Sequence, residues 1–194
     1  MSKLFAQFIS TTINPLVILS ILPYVLVLKE TGSSSTAFFW SVFSLFFILV
    51  FSVFVLLGIE KGYFSDLDVS KRSQRPLLFT VAIALSVIYL TFLFFMKAPE
   101  ALPIALVGLI FGLICVEFVN RITKVSLHVA TIAAFTTALT LGYSPFYILS
   151  FVLVPLVAWA RIKTHNHTKR QTLIGALMGI AVTVAIYVIF KIYI

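Results

Sequence analysis

Charge is scarce in this chain of 194 residues, and acid is scarcer than base. Only 10% of the residues are charged, and just 6 are Asp or Glu against 14 Lys or Arg. An ordinary soluble domain carries roughly 25% charged residues. Cysteine is almost missing. Cys115 stands alone, so no intrachain disulfide framework exists and cysteine usage says nothing about redox compartment. There is also no internal repeat, no low-complexity tract and no linker-like stretch, so the chain reads as one domain, 1–194. What is abundant is apolar: 61% of residues are hydrophobic, 20 of them Phe, and mean hydropathy is +1.16. A soluble globule of this size leaves much of its surface in water and cannot hide so much apolar area. Disordered chains are polar and charged, so that class is excluded too.

The apolar residues fall in long charge-free runs: 4–28, 31–59, 76–96, 101–116, 125–160 and 171–190. A bilayer core about 30 Å thick needs roughly 20 apolar residues per spanning helix. The run 125–160 is too long for one span, and Gly142-Tyr143-Ser144-Pro145 supplies a turn within it. The expected fold is therefore an all-α, polytopic membrane helix bundle with about seven spans. They fall near 8–28, 37–59, 77–96, 102–120, 125–142, 145–161 and 171–190. The runs lack the polar/apolar alternation of a membrane β-barrel. The first run is too long for a signal peptide and no small-residue cleavage site follows it, so it is read as a span.

The connections are unequal. Those after the expected first, third and fifth helices are short. Those after the second, fourth and sixth hold 60–75, 121–124 and 161–170, rich in Lys, Arg, His, Asp and Asn. Counting two helices between each pair puts all three on one face together with the N-terminus. Eleven of the 14 cations then share that face, leaving Lys29, Lys97 and Lys191 on the other. Such a bias orients a protein with its basic loops in the cytoplasm, and it equally suits anionic headgroups. The loops are too short to form a nucleic-acid-binding module.

The three segments carry chemistry-bearing groups. The first runs from Phe64 to Pro76 and includes Asp66, Asp68, Lys71, Arg72 and Arg75. The second is Lys124-Val125-Ser126-Leu127-His128. The third runs from Arg161 to Gln171 and includes Lys163, His165 and His167. Arg offers planar, bidentate hydrogen bonds to phosphate oxygens, and helix N-termini favour anions. One His can attack phosphorus while a second protonates the leaving oxygen.

The spacing Arg161-x5-His167, the pair Arg75-Pro76 and the triplet Ser126-x-His128 occur in an order that resembles the three motifs of the type 2 phosphatidic acid phosphatase / haloperoxidase superfamily. That family reads Lys-x6-Arg-Pro, then Pro-Ser-Gly-His, then Ser-Arg-x5-His-x3-Asp. The resemblance covers roughly 60–180 and implies a six-helix phosphatase core plus one helix. It further implies His167 as the nucleophile that forms a phosphohistidine, and His128 as the acid that protonates the leaving alcohol. Arg75, Arg161, Lys71 and Ser126 would hold the phosphoryl oxygens, and Gln171 would orient His167. It implies no metal and no cofactor, a lipid phosphate or polyprenyl (di)phosphate as substrate, and a multi-pass place in the cell membrane.

The sequence departs from the family pattern at Asp68, Val125, Leu127, Ala160 and Gln171, where the family has Lys, Pro, Gly, Ser and Asp. Gln171 supplies no negative charge to the nucleophile. A headgroup-binding protein without turnover is therefore a second expectation. A third is a Mg-dependent prenyl-diphosphate transferase using Asp66 and Asp68, although a simpler reading pairs these two with Lys71, Arg72 or Arg75. His165 is read as a bystander, and Arg121, Lys124, Lys169 and Arg170 as headgroup anchors.

Overall fold

The computed structural model describes residues 2–190. Lys191, assigned above to the second face, lies outside the described residues. Every regular element among the described residues is helical. Helices α1 (Ser2–Thr12), α2 (Pro15–Thr31), α3 (Ser34–Glu60), α4 (Arg75–Phe95) and α5 (Ala101–Asn120) are followed by α6 (Leu127–Gly142), α7 (Leu153–Lys163) and α8 (Lys169–Phe190). Short 3₁₀ stretches precede α4, at Arg72–Gln74, and α7, at Pro145–Val152. Five of these stretches are long and apolar enough to cross a membrane, and the bent pair α1 and α2 makes a sixth if counted as one span. The chain is an all-α, multi-pass membrane protein.

Two expected helices differ from those found. The expected first span, 8–28, is broken at Asn14. Pro15 has no N–H to give the preceding turn, and its ring disfavours the α conformation in the residue before it. The break is capped locally: Asn14 Oδ1 accepts the Leu16 N–H at 2.8 Å, and the Asn14 carbonyl accepts Ile18 N at 3.1 Å. Asn-Pro is thus a helix start here, with Pro in the first helical position, where its missing N–H costs nothing. The expected sixth helix, 145–161, is α-helical only from Leu153. Pro155 cannot bond the carbonyl four residues back, and its ring crowds that carbonyl, so the preceding turns tighten to 3₁₀.

The contacts divide the chain into two compact units, 19–120 and the combination of 1–18 with 121–194. In the first, α4 packs on α5 and α3 on α4. Val27, Trp40, Tyr89, Leu93, Leu102 and Leu106 form one buried cluster, and Phe47 stacks on Tyr89 with centroids 4.5 Å apart. The turn after α2 is more than a plain connection. The Glu30 carboxylate accepts the Glu100 N–H at 2.8 Å and the Ala101 N–H at 2.9 Å. It therefore caps the N-terminus of α5 from 70 residues away, pairing free donors with negative charge. Glu30→Ala is expected to cost about 1 kcal/mol, read as a lower thermal midpoint in detergent, with Glu30→Gln falling between. An unchanged midpoint for Glu30→Ala would remove this role.

In the second unit, α6 packs most extensively on α8, with α7 and α1 alongside. Its buried cluster joins Ala6, Ile9 and Ile18 to Val129, Ile132, Val157 and Ala160. The closeness of α6 and α8 depends on two glycines of α8. A Cβ at Gly175 would lie 2.6 Å from the Ser126 carbonyl oxygen, and one at Gly179 would overlap the Ala130 carbonyl oxygen. Small residues four apart on one face let two helix backbones approach.

Candidate phosphate-handling site

The first polar segment folds around Asp66. Its carboxylate accepts the Ser65 hydroxyl at 2.7 Å, the Asp68 N–H at 3.0 Å, the Ser70 hydroxyl at 3.0 Å and the Ser70 N–H at 3.2 Å. Burial raises the Asp66 carboxyl pKa, but these hydrogen bonds outweigh it and hold the group below its ordinary value of 3.8. Asp66 is thus taken up by its own loop, where the sequence suggested a cation partner. Arg75 is buried. Its Nε donates to the Val69 carbonyl at 3.1 Å and its Nη1 to Asn120 Oδ1 at 3.5 Å. Val69 needs that support, because a β-branched residue at φ 44° is strained. Lys71 is exposed and precedes the 3₁₀ turn. Arg75 and Lys71 belong to the 19–120 unit. The other five expected site residues belong to the second unit.

In that unit the Arg161-x5-His167 spacing has a local cause. Helix α7 ends at Lys163 with Thr164 as its C-cap, and His165 adopts φ 61°. The His165 N–H bonds the Ile162 carbonyl at 3.0 Å and the Asn166 N–H bonds the Arg161 carbonyl at 3.1 Å. These two bonds define a Schellman turn, a left-handed residue that closes the helix end. The turn reverses the chain, so that the His167 N–H also reaches the Arg161 carbonyl, at 3.2 Å. His165, expected to be a bystander, makes the turn. Lys124, expected to be a headgroup anchor, holds the turn from outside, donating from Nζ to the Asn166 carbonyl at 2.8 Å.

Helix α8 then opens with a reciprocal cap. Thr168 Oγ1 accepts the Gln171 N–H at 3.3 Å, and Gln171 Oε1 accepts the Thr168 N–H at 3.2 Å. This is the capping box, legible in the sequence as Thr-x-x-Gln. His167 Nδ1 lies 3.1 Å from the same Oε1. A backbone N–H can only donate, so the Gln171 atom that receives it is the carbonyl oxygen. That oxygen can only accept, so His167 Nδ1 carries the proton. In the neutral imidazole the lone pair is then on Nε2. Gln171 therefore fixes the His167 tautomer, and does so without a charge.

The second segment meets the third at the start of α8. The Ser126 N–H donates to the Gln171 carbonyl at 3.4 Å, and Gly175 gives the Ser126 carbonyl its room. Ser126 occupies the N-cap position of α6, yet its hydroxyl makes no cap bond. The Ser126 side chain is fully buried, and its Oγ has no hydrogen-bond partner. His128 follows in the first turn of α6 and is also buried. Arg161, 2% exposed, donates from Nη1 to Ser10 Oγ at 2.7 Å. Ser10, on α1, was not anticipated. No sequence spacing signals a contact across 151 residues.

Ser126, Gln171 and His167 are thus joined by direct contacts, and His128 sits two residues beyond Ser126. Arg161 is tied to His167 through the Schellman turn. Among the described residues no three His, Cys, Asp or Glu side chains cluster as metal ligands. Comparison with protein-family models, curated proteins and solved structures gave no match to this chain.

Proposed function

We propose that this chain is an integral membrane phosphatase that hydrolyses a lipid phosphate or polyprenyl (di)phosphate through a phosphohistidine, as a divergent relative of the type 2 phosphatidic acid phosphatases. The observation that carries the reading is the fixed tautomer of His167. Its Nδ1–H is held on Gln171 Oε1, which leaves the Nε2 lone pair as the nucleophile. Ser126 adds weight. A buried hydroxyl without a partner costs free energy unless a ligand completes it, and this one stands at a helix N-terminus, where backbone donors favour anions.

In the proposed reaction His167 Nε2 attacks phosphorus and the bond to the lipid alcohol oxygen breaks. His128 gives its proton to that oxygen. His128 then takes a proton from water, which attacks the phosphohistidine and releases phosphate. Within the unit that holds both histidines, Arg161 and Ser126 would bear on the phosphoryl oxygens, where a fixed cation stabilises the developing charge. No step is routed through a metal or a cofactor.

The same reading counts seven crossings, with α1 and α2 as one bent span and α6 as the shortest. At 16 residues α6 is about 24 Å long. It places the chain in the cell membrane, among anionic headgroups.

Purified protein in detergent is expected to release phosphate from phosphatidate or a polyprenyl phosphate in excess EDTA, and His128→Ala to slow it by about 10²-fold or more. Release that proceeds at the full rate in His128→Ala would overturn the acid assignment. A second reading, headgroup binding without turnover, draws on the neutral Gln171. Saturable binding of phosphatidate with no release across the substrate panel would favour it.

A further inference from the structure

We infer that Ser10 is a positioning residue for Arg161, and that α1 is thereby part of the phosphate-handling site. The inference rests on the phosphate reading above and extends it to an element outside the three polar segments.

The contact is short and enclosed. Arg161 Nη1 donates to Ser10 Oγ at 2.7 Å, and the two residues are 2% and 7% exposed. The register that produces it is set by apolar packing. Ala6 and Ile9 of α1 are buried against Val157 and Ala160 of α7, and the Phe5 ring meets the Trp159 ring at 6.2 Å. Ser10 is one helical turn beyond Ala6, and Arg161 one turn beyond Val157. Docking the two apolar stripes therefore brings the hydroxyl to the guanidinium. The Asn14-Pro15 break makes α1 a separate helix, able to pack on α7 independently of the course of α2.

A guanidinium is a rigid plane whose five donors keep a fixed geometry. Anchoring Nη1 restricts where that plane, and with it the other donors, can point. An arginine already held loses less side-chain freedom when it binds an anion. The Ser10 hydroxyl also gives the buried Nη1 an acceptor, and a buried charged donor that loses an acceptor is penalised. Ser10 touches neither phosphorus nor His167. It acts through Arg161.

The test uses the full chain in detergent and inorganic phosphate as the probe, read as the phosphate concentration that half-saturates the rise in melting temperature. This readout needs no turnover. Arg161→Lys is expected to weaken phosphate binding strongly. Ser10→Ala is expected to weaken it by about 10-fold, as for loss of one hydrogen bond to a charged group. Ser10→Thr, which keeps the hydroxyl, is expected to restore it, and Ser10→Ala is expected to add little in an Arg161→Lys background. Should Ser10→Ala melt below the assay temperature, Ser10→Cys reads the same contact, because a thiol is a weak acceptor.

Wild-type phosphate affinity in Ser10→Ala (or in Ser10→Cys, if that is the variant read), with weakened binding in Arg161→Lys, overturns the role of Ser10 and leaves the phosphate reading standing. A wild-type protein whose melting ignores phosphate overturns the phosphate reading and this inference together.

Discussion

His167→Ala is expected to lower phosphate release by a factor on the order of 10³ to 10⁵, the usual consequence of removing a covalent nucleophile. The expectation follows from the geometry at the start of α8. The capping box fixes Gln171 Oε1 as an acceptor, and that acceptor fixes the proton on His167 Nδ1. Removing the ring should leave the fold in place, because the turn before α8 is built from backbone bonds of His165, Asn166 and His167 to α7. The variant should therefore melt near the wild type while losing turnover. Undiminished release by a folded His167→Ala protein would sink the phosphohistidine route.

A companion change tests the departure from the family pattern. Gln171→Glu keeps an oxygen for both the Thr168 N–H and the His167 Nδ1–H, and it adds the missing negative charge. In a serine protease triad the opposite change, Asp to Asn, costs about 10⁴ in rate. Glu at position 171 is expected to speed release, by about 10-fold or more, through support of the positive imidazole during phosphoryl transfer. It should not harm α8, since a carboxylate in the first turn of a helix is favourable. A folded Gln171→Glu protein with an unchanged rate would show that charge at this position is not what limits turnover.

Gly179→Ala has the largest expected effect on stability, a loss of about 3 kcal/mol or more. The added Cβ would overlap the Ala130 carbonyl oxygen. That atom belongs to the backbone of α6, so no rotamer change relieves the clash and the helices must separate. Their contact is the most extensive between any two elements, and it also carries the bond from Ser126 N to the Gln171 carbonyl. The variant is expected to give little monodisperse protein, or a sharply lower melting temperature. Leu177→Ala on an exposed face of the same helix should stay near wild type. Equal melting of Gly179→Ala and Leu177→Ala would show that α6 and α8 tolerate the extra separation.

The sequence by itself determined the solvent and the class. Few charges in long apolar runs place the chain in a membrane, where a backbone must satisfy its own hydrogen bonds, and the lack of polar/apolar alternation points to helices rather than a barrel. Three local devices are encoded within a few positions, yet reading the apolar runs alone carried the first span straight through one of them: Asn14-Pro15 is a helix start, Thr168-x-x-Gln171 is a capping box, and Arg161-x5-His167 is one closed helix end. Each depends on residues within a few positions of one another.

The tertiary structure decided which polar groups meet. Ser10 on Arg161, Lys124 on Asn166, Glu30 on the start of α5 and Arg75 on Val69 and Asn120 are contacts of side chains with partners brought close by folding, some of them backbone and some side chain. Their partners are set by helix packing, and packing depends on shape and volume across elements rather than on spacing along the chain. For the same reason the sequence showed Gly175 and Gly179 only as small residues on a helix. Only the packed α6 and α8 show that a methyl group there would strike a carbonyl oxygen.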